Sequence, residues 1–285
     1  MNREDKKMIR QKSNFFTTSD NAMIYFEDYG EGAPILIIPG YLCTSKFFKR
    51  NIEALSENNR LILVDARGHG SSSKILTGLN IPRMAKDIKE LVDFLGLERL
   101  TLLAWSMGSS IALSYYEQFG DYKLSRIGII DSALYPFSHE ASNCHSLRGY
   151  DMDGMNRVMN AAIKDFEGYC RNFARAIFKE EPSIEDESWV ATEMMKTPPW
   201  IAFAIYSDFL HRDYVQVLKH IQIPTLICSA NSPAIPSSDA MSQHYRKQLT
   251  VSHQYKHFES KAGHVMFYEA ADEFNRMVLD FIQNT

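Results

Sequence analysis

The chain has 285 residues, 45% of them hydrophobic, enough to bury a sizeable core in one large α/β domain or one domain carrying an insertion. A net charge of −4 gives it no electrostatic reason to bind nucleic acid or an anionic membrane surface, and its apolar runs are too short to span a bilayer. Cys43, Cys144, Cys170 and Cys228 are widely and irregularly spaced, which argues against a zinc cluster or a disulfide scaffold, and the charged start at residues 1–12 has no apolar leader, so the expected location is the cytoplasm.

In chain order, strands are expected at 23–29, 35–38, 61–64, 100–104, 127–130, 225–228 and 254–258. The runs at 35–38, 61–64 and 127–130 are apolar throughout, as strands buried on both faces of a parallel sheet are. Between them lie helical patterns. Residues 81–95 place apolar side chains at 81, 84, 88, 91, 92 and 95 and stop at Gly96; residues 111–119 stop at Gly120; residues 271–282 close the chain with Phe274, Met277, Val278 and Phe281 on one face. Residues 134–219 differ. They lack strand-like runs, are broken by Gly149, Gly154, Pro182, Pro198 and Pro199, and are rich in Met and aromatic residues. This predicts a helical insertion. Most of its bulky groups must pack its own core, and a few facing the main domain could line an apolar substrate pocket.

The most informative stretch is Leu100 to Leu113, where a buried strand runs into Ala104-Trp105-Ser106-Met107-Gly108 and then directly into a helix. Such an elbow crowds its neighbours, so small residues are needed two positions either side of the serine, and it lifts the Ser106 hydroxyl to the carboxyl edge of the sheet at a helix amino end. The plain alternative is a helix-capping serine with no chemistry. Gly263-His264 lies late in the chain, before the last helix, where an acyl-transfer base belongs in the order Ser…Asp…His. An imidazole there can take the serine proton and return it to a leaving group. Pro39-Gly40-Tyr41-Leu42 ends the 35–38 strand, and Gly40 is expected to turn the backbone so that amide groups face the reacting centre. The Tyr41 and Met107 amides are the candidate oxyanion donors. Asp65-Ala66-Arg67-Gly68-His69-Gly70-Ser71-Ser72 is read as a structural turn, with Asp65 and Arg67 in hydrogen bonds, and not as the source of a catalytic histidine.

Taken together and in order, Pro39-Gly40-Tyr41, the 65–72 turn, Ala104-Trp105-Ser106-Met107-Gly108, the 223–228 run and Gly263-His264 resemble the α/β-hydrolase superfamily over nearly the whole chain. The resemblance implies a mostly parallel eight-stranded sheet with helices on both faces and a helical cap after the sixth strand. On that reading residues 1–133 and 220–285 form the core domain and 134–219 the cap. The family's usual acid follows the seventh strand, but the corresponding position here is Ser232. The imidazole still needs a carboxylate to orient it and to stabilise its cation. Asp131, at the carboxyl end of the 127–130 strand, is the preferred candidate, as in family members that carry the acid after the sixth strand. Asp239 is the runner-up. Asp208 and Asp213 precede the seventh strand and are expected to pin the cap or its loop.

The expected activity is that of a serine hydrolase acting on an ester-like or other carbonyl compound, small and hydrophobic, through an acyl-serine formed on Ser106, with no cofactor and no metal. Two other readings stay open: a cofactor-free dioxygenase or peroxidase-type enzyme on the same scaffold, and a non-catalytic ligand-binding receptor. An aspartate nucleophile, as a dehalogenase would use, is absent from position 106.

Overall fold

The computed structural model describes residues 11–145, 148, 152–259 and 262–285. The first ten residues and the helix break read at Gly149 lie outside them. The chain begins with β1 (Gln11–Thr17), β2 (Met23–Tyr29) and β3 (Ala33–Ile38), followed by a 3-10 turn at Ser45–Phe48, α1 (Ile52–Ser56) and β4 (Asn59–Val64). Then come α2 (Ile81–Phe94), β5 (Leu100–Trp105), α3 (Met107–Phe119) and β6 (Leu124–Ile130). Among the described residues four helices follow without an intervening strand: α4 (Met152–Lys164), α5 (Phe166–Ile177), α6 (Ile184–Met194) and α7 (Pro199–His211). The chain closes with β7 (Thr225–Ser229), α8 (Ser238–Arg246), β8 (His253–His257), α9 (Met266–Glu269) and α10 (Ala271–Asn284).

All eight strands form one sheet in the order β1-β2-β4-β3-β5-β6-β7-β8. Only the β1–β2 and β2–β4 pairings are antiparallel. The central strands are buried because helices cover both faces: α2 packs on α3 and α3 on β5, while α1 packs on β4 and meets α10. The seven strands expected from apolar runs are all present. β1 is the addition. Its segment, Gln11-Lys-Ser-Asn-Phe-Phe-Thr17, carries no sustained apolar run and is held by its ladder to β2. The turn that joins them is closed by the Thr18 N–H to Ala22 carbonyl bond at 2.8 Å, with Asn21 left-handed at φ 64°. α2 follows its sequence pattern: the Asn80 side chain caps it by accepting the Arg83 N–H, and Ile81, Met84, Ile88, Leu91 and Val92 are buried.

The 65–72 turn is structural, as its composition suggested. The Asp65 carboxylate accepts the N–H groups of Ser45 at 2.7 Å and Ser71 at 2.8 Å. Arg67 is 1% exposed and forks onto both oxygens of Asp87, each at 2.7 Å, with Asp20 at 2.8 Å from the same guanidinium. This charge cluster joins the β1–β2 turn, the end of β4 and α2, and each buried charge is compensated by a neighbour.

The helices between β6 and β7 bury their own apolar faces, including Cys170, Ala174 and Ile177 on α5 and Ile201, Phe203 and Phe209 on α7. Asp208 on α7 accepts the Ile81 N–H at 2.8 Å and pairs with Arg212, so it pins the insertion to the start of α2. Asp213 accepts the Val215 N–H at 2.9 Å and caps the turn that follows. No helix among the described residues is long and apolar enough to cross a membrane.

Candidate active site

β5 is buried along its whole length and delivers the chain to Ser106, whose backbone lies at φ 55°, ψ −129° before α3 begins at Met107. A positive φ in a residue with a Cβ is strained, and here the surroundings hold it. The Ser106 N–H donates to the Ile130 carbonyl at 2.9 Å, and the Ser106 carbonyl accepts from the Ser132 hydroxyl at 2.8 Å. The elbow is thus tied to both sides of Asp131, the residue just after β6.

Asp131 has φ 44°, is fully buried, and donates its own N–H to the Cys228 carbonyl of β7 at 2.8 Å. Its carboxylate is shared among three donors. One oxygen accepts from His264 Nδ1 at 2.5 Å; the other accepts the Ala230 N–H at 3.2 Å and the Ser238 hydroxyl. Because Nδ1 faces a carboxylate, the hydrogen-bond pattern assigns the proton to Nδ1 and leaves Nε2 as the free base. His264 is 2% exposed, its carbonyl accepts the Trp105 indole N–H at 2.9 Å, and its ring lies 5.0 Å from the Trp105 ring. The residue before the elbow therefore anchors the histidine loop. The Ser106 hydroxyl is half-buried and, among the described residues, hydrogen-bonded to none, so the Ser106–His264 leg is not formed as a hydrogen bond. Such contacts commonly tighten only with substrate present.

Gly40 opens a turn, its carbonyl accepting the Cys43 N–H at 3.1 Å, and its lack of a side chain serves a second purpose. Its φ is not positive; what it supplies is space, because a Cβ there would lie 2.8 Å from Ser106 Cβ and 3.3 Å from Ser106 Oγ. Among the described residues the N–H groups of Tyr41 and Met107 donate to no acceptor. The Tyr41 side chain is buried, stacks on Tyr206 of α7 at 4.4 Å and meets Phe173 of α5 at 6.1 Å, so insertion aromatics reach the loop beside Ser106.

The other candidate acids lie elsewhere. Asp239 receives its contact through its backbone, the N–H donating to Asn231 Oδ1 at 3.3 Å. Ser232, at the position where a carboxylate would stand, closes a turn by accepting the Ile235 N–H at 3.3 Å. Among the described residues no group of three or more His, Cys, Asp or Glu is placed to hold a metal ion.

The alpha/beta hydrolase fold family model matches residues 33–271. The chain belongs to the α/β-hydrolase family. Its relatives include the AB hydrolase superfamily protein YisY of Bacillus subtilis, 24% identical with 94% of this chain and 98% of the relative covered, and the non-heme chloroperoxidase CPO-A1 of Kitasatospora aureofaciens, 24% identical with 93% and 98% covered. Among solved structures, an esterase from Exiguobacterium antarcticum superposes with a TM-score of 0.87 at 23% identity, covering 95% of this chain and 100% of that one. At that identity the likeness establishes the fold alone.

Sequence reasoning passed over two side chains of this hydrolase. Ser238 donates to Asp131 from the first turn of α8, next to the runner-up acid Asp239; its only signal was that neighbourhood. Replacing Ser238 with alanine is expected to lower kcat about tenfold to a hundredfold, since a hydrogen bond to a charged group contributes about 1.5–3 kcal/mol; steady-state hydrolysis of a model substrate checks this, and an unchanged kcat would remove Ser238 from the site. His145 is the second: burial, and after it the neighbouring His264, pushes its pKa down to about 4.

His69 belongs to the fold and not to the chemistry. It is fully buried, its Nδ1 donates to the Arg67 carbonyl at 3.0 Å, its Nε2 has no hydrogen-bond partner among the described residues, and burial pushes its pKa down from 6.5 to about 4. A histidine with a depressed folded pKa stabilises the fold above its unfolded value, and the contribution is lost as pH falls through the interval down to the folded value. Urea unfolding is therefore expected to show about 3 kcal/mol of His69-dependent loss between pH 6.5 and pH 4. The slope is expected to flatten in His69→Asn, and an unchanged slope in that variant would contradict the assignment.

Proposed function

We propose that this hydrolase cleaves an ester-like or related carbonyl substrate through an acyl-enzyme on Ser106. His264 Nε2 takes the proton from the Ser106 hydroxyl as its oxygen attacks the carbonyl carbon, and then gives that proton to the leaving group. Asp131 holds the Nδ1–H tautomer and stabilises the imidazolium. The uncommitted N–H groups of Tyr41 and Met107 receive the developing oxyanion. Water, activated by the same nitrogen, then releases the acid and restores the serine. The observation that carries this reading is the 2.5 Å contact between His264 Nδ1 and Asp131 on a sheet whose neighbouring strand ends in the strained Ser106 elbow. Residues 134–219 act as a cap over a core formed by 1–133 and 220–285. The aromatic set of Tyr41, Phe173 and Tyr206 favours an apolar substrate.

The test is covalent labelling by a fluorophosphonate probe, which phosphonylates an activated serine. Labelling is expected in the wild type and absent in Ser106→Ala. A wild type that resists the probe removes the acyl-serine. A second reading draws on the relative named a non-heme chloroperoxidase. Halide oxidation with hydrogen peroxide that persisted in Ser106→Ala would favour it, because the serine would then be secondary.

A further inference from the structure

We infer that Glu269 is a positioning residue that fixes the placement of His264 against the chain leaving α5. The inference rests on His264 being the base proposed above. One oxygen of the Glu269 carboxylate accepts the N–H of Gly263, the residue before His264, at 2.7 Å. The other accepts the N–H of Lys179, just beyond the end of α5, at 3.0 Å. A single carboxylate thus joins the histidine loop to the insertion. The seam around it is close-packed: the Val265 N–H donates to the Ile177 carbonyl at 3.3 Å, and a Cβ on Gly263 would lie 2.6 Å from the Lys179 nitrogen and 2.7 Å from the Phe178 carbonyl carbon. On the other side of the same segment, the Ala234 N–H donates to the Ala176 carbonyl at 3.1 Å. The chain leaving α5 is therefore wedged between the loop after β7 and the loop carrying His264.

The backbone of His264 is held at three points: the N–H before it by Glu269, the N–H after it by Ile177, and its carbonyl by Trp105. Two of the three depend on the α5 exit or on the carboxylate that bridges to it. A carboxylate suits this bridge because both its oxygens accept; a glutamine in the same place would turn an NH2 group toward one of the two N–H donors. A misplacement of the base by a fraction of an ångström acts on the proton-transfer step and not on substrate binding, so its effect belongs in kcat.

The experiment compares wild type, Glu269→Gln and Asp208→Asn, the last loosening the insertion where it meets α2, away from the site. For Glu269→Gln the expected result is about tenfold slower fluorophosphonate labelling and about tenfold lower kcat for a p-nitrophenyl ester, with KM within about twofold. Asp208→Asn is expected to lower the melting temperature while keeping kcat. The low-field Nδ1–H proton resonance of His264 is expected to move in Glu269→Gln and to stay in Asp208→Asn. Wild-type labelling with an unaltered labelling rate and kcat in Glu269→Gln would overturn the inference. If the wild type is not labelled, the acyl-serine reading is what fails; the His264 resonance then decides, and an unmoved resonance overturns the role of Glu269. Should Glu269→Gln not fold, Glu269→Asp, one methylene too short to span both donors, is read in the same assays.

Discussion

Replacing Ser106 with alanine is expected to lower kcat for a p-nitrophenyl ester about 10⁶-fold, with residual turnover from the oxyanion donors and binding alone. The size follows from chemistry. Without the hydroxyl there is no acyl-enzyme, and His264 has no bound proton donor to activate. The substitution leaves the elbow strained, because alanine at φ 55° meets the same clash as serine. Ser106→Gly, equally inactive, is expected instead to raise stability by about 1 kcal/mol, since glycine adopts a positive φ without a Cβ penalty. Comparing the two melting temperatures separates the strain from the chemistry. Substantial ester hydrolysis surviving in either variant would show that another group is the nucleophile.

Asp131→Asn is expected to lower kcat about 10⁴-fold with little change in fold. The amide is nearly isosteric, so the consequences are electronic. Asp131 accepts from His264 Nδ1, the Ala230 N–H and the Ser238 hydroxyl, and an amide cannot accept at both of its termini. Turned one way, its NH2 faces the imidazole and favours the wrong tautomer, with the proton on Nε2; turned the other, it faces the Ala230 N–H. Either way the negative charge that stabilises the imidazolium is gone. Asp239→Asn, the matching change at the runner-up, is expected to stay within about twofold of wild type, because His264 makes its carboxylate contact with Asp131. If activity survived in Asp131→Asn and fell in Asp239→Asn, the orienting role would pass to Asp239. Steady-state kinetics on both variants decides it.

Where a feature depends on neighbours in the chain, the sequence was sufficient. The Ser106 elbow, the apolar strands at its centre and the capped amphipathic α2 are local patterns, set by backbone sterics and periodicity over a few residues. β1 escaped that logic because a half-exposed edge strand has no apolar run of its own and is defined by the ladder to its neighbour. Gly40 shows the same division: its identity could be read from sequence, but the contact with Ser106 that requires it could not.

By itself the sequence determined the fold class, and it put forward Ser106 and His264 as candidates and Asp131 ahead of Asp239 from strand order. Only the tertiary structure decided which carboxylate meets the imidazole and brought in Ser238 and Glu269. The physical reason is range: Asp131 and His264 are 133 residues apart in the chain, and contacts at that separation are fixed by how β6, β7 and the final loop stack at one sheet edge, not by any preference that neighbouring residues express.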